Sequence, residues 1–188
     1  MSEMAELILE DAKERMNKAV AHSREEFSTI RSGRANPTLV ERLVVEAYGV
    51  EMRLVEMASI SVPEARQLLI TPHDPSNLES VERALRLSDL GLSPSNDGRT
   101  LRLNFPPLTE ERRKEIVKKA HDIAEASRNV VRQCRRDGND ALKEKEKEKE
   151  IGKDDEHRGH EEMQRLHDHY IAEINQSLEV KEKDIMVG

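Results

Sequence analysis

"FPPLTEERRKEIVKKAHDIAEASRNVVRQCRRDGND", residues 105–140, decides how the rest of the chain is read. Pro106 and Pro107 lack an N–H and fix their own φ, so a helix cannot run through them from the amino side. Beyond them the stretch is free of proline, and Thr109 suits an N-cap, with Glu110 and Glu111 favourably placed for the helix dipole and Arg112 just behind. From there Ile116, Ala120, Ile123, Ser127, Val130 and Cys134 recur in steps of three and four, which puts them on one helical face. A second face carries Arg128, Arg132, Arg135 and Arg136. Residues 126–136 hold no Asp or Glu, so this positive stripe has no neutralising neighbour within its own segment. Continued to residue 150, the helix would be on the order of 60 Å long.

Working outward, the same periodicity returns at both ends of the chain. All seven prolines lie between Pro37 and Pro107, which leaves the flanks free to form uninterrupted helices. The first flank places Leu9, Ala12, Met16, Val20, Ser23, Phe27 and Ile30 on one seam, and the last places Met163, Leu166, Tyr170, Ile174 and Leu178 on another. Helices with one apolar seam each can bury it only against one another, which predicts a long three-helix bundle of residues 1–30 and 106–188. The middle is built differently. "RLVVEAYGVEMRLVEMASISV" and "EARQLLITPHD", broken at Gly49 and Pro63, read as strands and turns. A helix of about residues 75–90 follows, then a hairpin turning at Asp97 and Gly98. The fold class is α+β, with residues 31–105 as a small α/β unit inserted into the bundle. The chain crosses between bundle and insert twice, which predicts a hinge at Gly33, Arg34 and Asn36 on the way out and Asn104, Pro106 and Pro107 on the return.

Composition narrows the function. Of 188 residues 36% are apolar and 37% charged, and only two Phe and two Tyr are present, so amphipathic helices with much exposed surface fit better than a large globular core. The single cysteine, Cys134, excludes an internal disulfide, disfavours a thiolate metal site, and falls on the apolar seam as a buried thiol. With no long apolar run, neither a signal peptide nor a membrane span nor a membrane partner is expected, and the location expected is cytoplasmic. His157, His160, His167 and His169 cluster near Glu161, but Gly159 weakens the helix there and no second set of ligands is evident. They read as an exposed polar face, with no metal or cofactor. "IRSGRANP" has one glycine and lacks the Lys-Ser/Thr of a phosphate loop, so this chain is not expected to hydrolyse GTP or to be an enzyme. In "KEKEKEKE", residues 143–150, like charges recur at i,i+4, so the second helix is expected to fray at its end.

Four stretches, in order, carry a resemblance: "IRSGRANP" from Ile30, "DLGLSPSNDG" from Asp89, "FPPLTEERRKE" from Phe105 and "VRQCRRDGND" from Val131. Together they resemble the bacterial ribosome recycling factors over the whole chain. The resemblance implies a three-helix bundle with an inserted β/α/β domain. It also implies action on the post-termination ribosome, split into subunits with elongation factor G and GTP. It further implies that Arg31, Arg132 and Arg135 meet large-subunit ribosomal RNA, with Arg128 and Arg136 as further candidates, in a protein acting as a monomer. A competing reading of the four α-helical arginines pairs them with the acids of "DDEH" and "HEE" on the third helix. A competing reading of the whole is a helical adaptor or chaperone, which would need a second exposed apolar stripe, for which only Val117, Ala124 and Val131 are available.

Overall fold

The computed structural model describes residues 1–187, with side chains through residue 186. It divides into two compact units, one of Met1–Arg31 with Glu111–Met186 and one whose main body is Ser32–Glu110.

The first unit is helical: α1 (Glu3–Thr29), α5 (Glu110–Lys147) and α6 (Lys153–Val187). Ser2 caps α1, its Oγ accepting from the Ala5 amide at 3.2 Å, with Glu3 and Glu6 in the first turn at the positive end of the dipole. Met16, Val20, Phe27 and Ile30 from α1 and its end are buried, as are Met163, Tyr170, Ile174 and Leu178 on α6. On α5 the expected seam holds at Ile116, Ala120, Ser127 and Cys134 and shifts by one position at two places, from Ile123 to Ala124 and from Val130 to Val131. Val130 is 49% exposed, while Val131 and Ala124 are fully buried. The seam that packs is Ala120, Ala124, Ser127, Val131, Cys134, Gly138 and Leu142, and it uses small residues where the helices come close. A Cβ on Gly138 would lie 2.3 Å from Met163 Cε, and one on Gly159 would lie 2.8 Å from both Leu142 methyl carbons. Gly159 is therefore a close-approach residue within α6 and not a break in it.

Nor does the lysine and glutamate run fray as expected. Helix α5 continues to Lys147 and ends in a formed cap: Lys149 adopts φ 60°, its amide donates to Glu146 O at 2.9 Å, and the Glu150 amide donates to Lys145 O at 2.9 Å. This is the 6→1 and 5→2 bonding of a Schellman turn. Buried Leu142 and Ile151 flank it, and Lys145 pairs with Glu148 and Glu150. Packing and the cap supply the support that the cancelling charges do not.

The second unit carries α2 (Thr38–Glu41), β1 (Val44–Ala47), β2 (Val50–Arg53), α3 (Leu54–Met57), β3 (Ala58–Glu64), β4 (Gln67–Pro72), α4 (Leu78–Leu87), β5 (Ser95–Asn96) and β6 (Leu101–Asn104). The strands β3, β4, β6 and β5 form one antiparallel sheet in that order, and β1 and β2 a separate hairpin. Leu68 and Ile70 of β4 and Leu101 and Leu103 of β6 point to one buried face, covered by Val81 and Leu85 of α4. Both central residues of the hairpin turn, Tyr48 and Gly49, have positive φ, as a two-residue type I′ turn requires. Tyr48 tolerates this conformation while its hydroxyl donates to Asp74. Two expectations change here. Pro63 does not end a strand but lies inside β3, at a register shift on an edge strand where its missing N–H costs no ladder bond. The helix expected over residues 75–90 is a 3-10 turn at Pro75–Asn77 followed by Leu78–Leu87.

Candidate nucleic-acid interface

The regular turn of α5 brings Glu125, Arg128, Arg132 and Arg135 onto one face. Arg128 is the most enclosed, its side chain 18% exposed, with Nε donating to Asn175 Oδ1 on α6 at 2.9 Å and Nη1 to Glu125 Oε2 at 2.9 Å. Arg132 is 39% exposed, and its Nη1 donates to Glu125 Oε1 and Asn129 Oδ1, both at 2.8 Å. The Arg135 Nη1 donates to Gln164 Oε1 on α6 at 3.2 Å. Arg136 is exposed and enters none of these pairs. The stripe thus divides into three guanidinium groups steadied by neutral amides and one free to reach outward.

Two sequence expectations are corrected here. The stripe does have a neutralising neighbour: Glu125 lies one residue outside the acid-free window, and Arg132 and then Arg128 hold its carboxyl below the usual range. And the pairing acids are not those of the third helix. Glu156 faces His160 at 3.2 Å, Glu161 faces His157 at 3.3 Å, and Glu162 bonds Arg165. The next acid on α5, Asp137, binds Arg15 of α1 at 2.9 Å and ties two helices together, while Arg136 acts on it through space as a weaker neighbour.

Arg31 is exposed just past α1, where Ile30 O accepts from Lys181 Nζ at 2.8 Å. Burial pushes the Lys181 ammonium down despite Asp184 nearby. Because Lys181 adjoins Glu182, which pairs with His121 of α5 at 2.8 Å, Arg31 sits level with the early part of α5. Arg132 is eleven residues further along, roughly 16 Å at the helical rise. By this spacing Arg31 lies about three helical turns from Arg132 and is not part of the row.

The residues expected at the hinge differ in how firmly they are held. Asn36 Oδ1 accepts from the Thr38 amide at 3.0 Å, and Asn104 ends β6, its side chain bonded to Gln67 at 3.0 Å. The amides of Ala35 and Phe105 donate to Ala65 O and Arg66 O, both at 2.8 Å. Gly33 has φ 82°, and a Cβ there would lie 3.0 Å from Leu108 Cγ. Arg34, Pro106 and Pro107 are exposed.

The histidines are not uniformly exposed. His160 is partly buried between α5 and α6, its Nδ1 2.8 Å from Asn139 Oδ1, and the His167 side chain is only 13% exposed, against Asp168. Among the described residues no three His, Cys, Asp or Glu side chains are grouped to hold a metal. Cys134 is buried, and burial raises its thiol pKa. Ala124 and Val131, two of the three residues available for a second apolar stripe, are core. Among the described residues no helix is long and apolar enough to cross a membrane.

A row of anchored guanidinium groups on a helical unit can hold anions, best those that offer paired oxygens, carboxylate or phosphate. Fold and site together define a helical protein that presents a braced row of arginines to an anionic ligand. The chain belongs to the ribosome recycling factor family, whose model matches residues 23–186. It is 49% identical over 183 residues to the ribosome-recycling factor of Halothermothrix orenii, covering 97% of this chain and 99% of that one. To that of Rubrobacter xylanophilus it is 48% identical over 178 residues, covering 95% and 96%. A solution structure of a ribosome recycling factor matches with a TM-score of 0.78 at 38% identity over the full length of both chains. A second structure, of the Thermus thermophilus ribosome recycling factor and the Escherichia coli elongation factor G bound to the E. coli post-termination complex, matches at 0.64 and 37% identity, covering 97% of this chain and 98% of that one.

Proposed function

We propose that this chain splits the post-termination ribosome into subunits together with elongation factor G and GTP, releasing it from messenger RNA for reuse. The reading is carried by identity of 49% along nearly the whole length of a ribosome-recycling factor, and supported by a related structure described with elongation factor G on a post-termination complex. Arg132 and Arg135, with Arg31 at the end of α1, are the residues we assign to large-subunit ribosomal RNA. Arg136 is placed to reach a further phosphate, and Arg128, enclosed and twice bonded, to brace the row. With two Phe and two Tyr in the chain, recognition rests on backbone phosphates and shape and not on base stacking. The net charge of −7 works against indiscriminate adhesion to RNA. The factor acts as a monomer in the cytoplasm.

Because Ala35, Asn36, Asn104 and Phe105 are tied into the second unit, the pivot between the units is confined to residues 31–34 and 106–109. The test of function is sedimentation of post-termination ribosomes. Free subunits should accumulate only when the chain, elongation factor G and GTP are all present. No subunits with all three, or equal splitting without elongation factor G, would sink the proposal.

A further inference from the structure

We infer that Glu125 is an internal stand-in for an RNA phosphate, occupying Arg132 in the free protein and setting how selectively the arginine face takes up RNA; this rests on the RNA binding proposed above. Three observations support it. Each carboxylate oxygen takes one guanidinium, Oε1 that of Arg132 at 2.8 Å and Oε2 that of Arg128 at 2.9 Å, which is the pairing a phosphate with two free oxygens would make. The Glu125 side chain is 51% exposed and that of Arg132 is 39% exposed, so the pair is open to a competing anion and weak enough to be exchanged. And the arginines do not depend on the carboxylate for their placement: Asn175 holds Arg128 and Asn129 holds Arg132. When Glu125 swings away, a formed site remains.

Arg135 differs, since its bonded partner is the neutral Gln164. Asp168 and Asp137 act on Arg135 and Arg136 only through space, so a first phosphate can meet these two without exchanging a bonded carboxylate. A second phosphate reaches the Nη1 of Arg132 by replacing Glu125 there, which an RNA with phosphates held at the matching spacing does more readily than an arbitrary one. Glu125 thereby weakens all RNA binding and weakens unsuited RNA most. It is a specificity-determining residue for the proposed interface.

The test compares wild type with Glu125→Gln, and with Glu125→Ala as a second variant lacking any side-chain amide, for binding to purified large ribosomal subunits and to a random-sequence RNA duplex across a salt series. Both variants should bind subunits about two- to fivefold tighter, the range an exposed ion pair supports, and gain more on the duplex. The salt slope should steepen by up to about one unit. In an Arg132→Ala background the gain should vanish. Unchanged or weaker binding by both variants, while Arg132→Ala weakens binding, would overturn the inference and make Glu125 a residue that merely holds Arg132. A gain that persists in the Arg132→Ala background would overturn it too, as an effect of bulk charge. If Arg132→Ala itself binds as well as wild type, the RNA-binding role of this face falls, and this inference with it.

Discussion

A guanidinium group that is already half-satisfied by amides loses little by exchanging its remaining partner. That is the condition of Arg132, bonded to Asn129 and Glu125; Arg135, bonded to the amide of Gln164, has no carboxylate to exchange, and in both cases binding is separated from folding. Replacing both with Ala should weaken binding to large subunits and make its salt dependence shallower by roughly one to two units, about one for each phosphate no longer neutralised. The melting temperature should stay nearly constant, because exposed ion pairs add little to stability. Arg158→Ala, on an exposed part of α6, is the control and should bind as wild type does. Equal affinity and slope in the double variant, or loss of binding only through unfolding, would reject the assignment. Asp97 is a second residue with a readable consequence. It accepts from the Thr100 amide at 2.7 Å, from the Thr100 hydroxyl at 2.5 Å and from the Arg99 amide at 3.2 Å, which lowers its carboxyl pKa to about 2. A carboxyl depressed in the folded state contributes stability above its ordinary pKa of 3.8 and loses it as pH falls through the folded value. Wild type should therefore lose more thermal stability between about pH 4 and 2 than Asp97→Ala; parallel melting profiles would contradict this. The hairpin turn at Asp97 and Gly98 was legible because Asp-Gly is a turn signal by itself. The Glu125 clasp was not, since it lies one residue outside the acid-free window, and Asn175 and Gln164 reach the arginines from a helix that local spacing cannot register.

Among the elements, the long helices announce themselves and the short ones do not. The seams of α1 and α6 were legible from Met16, Val20, Phe27, Tyr170 and Ile174, large side chains at steps of three and four. On α5 the packed positions are filled by Ala120, Ala124, Ser127 and Gly138, whose small side chains carry almost no apolar signal, so Val130 looked as good as Val131. One-turn helices such as Thr38–Glu41 and Leu54–Met57 are too short to show a period at all. The small residues are functional in the packing sense. Gly159→Ala would push a Cβ to 2.8 Å from both Leu142 methyls, and overpacking of about 1–3 kcal/mol should outweigh the roughly 1 kcal/mol that alanine adds as a helix former. Urea unfolding should show a net loss; a gain would mean that Leu142 yields freely. The Schellman turn makes the opposite prediction. Lys149 holds φ 60°, a conformation costing an L-residue about 1–2 kcal/mol. Lys149→Gly should stabilise by about 0.5–1 kcal/mol once the extra freedom of glycine in the unfolded chain is subtracted. A lower unfolding midpoint in that variant would show that the lysine makes up the difference elsewhere.

For the molecule as a whole, the two-unit division turns on two short stretches of chain. Labels placed on α5 and on β4 should report a spread of distances in free solution that narrows on the ribosome, if residues 31–34 and 106–109 are the pivot. One narrow distance, the same free and bound, would defeat it. Pro106 and Pro107 led the sequence reading to expect a pivot here, whereas the anchoring of Asn36 and Asn104 into the second unit depends on Thr38 and Gln67 and could not be seen from spacing. The order of the elements also has a consequence for biosynthesis. Helix α1 is made before the 32–110 segment, and α5 and α6, the helices that cover its seam, are made after it. At ~5–20 residues per second that segment takes roughly 4 to 16 seconds to emerge. Through that interval Met16, Val20 and Phe27 have no native partner, and the apolar seam of α1 stays open to chaperones until α5 and α6 emerge and close the bundle over it.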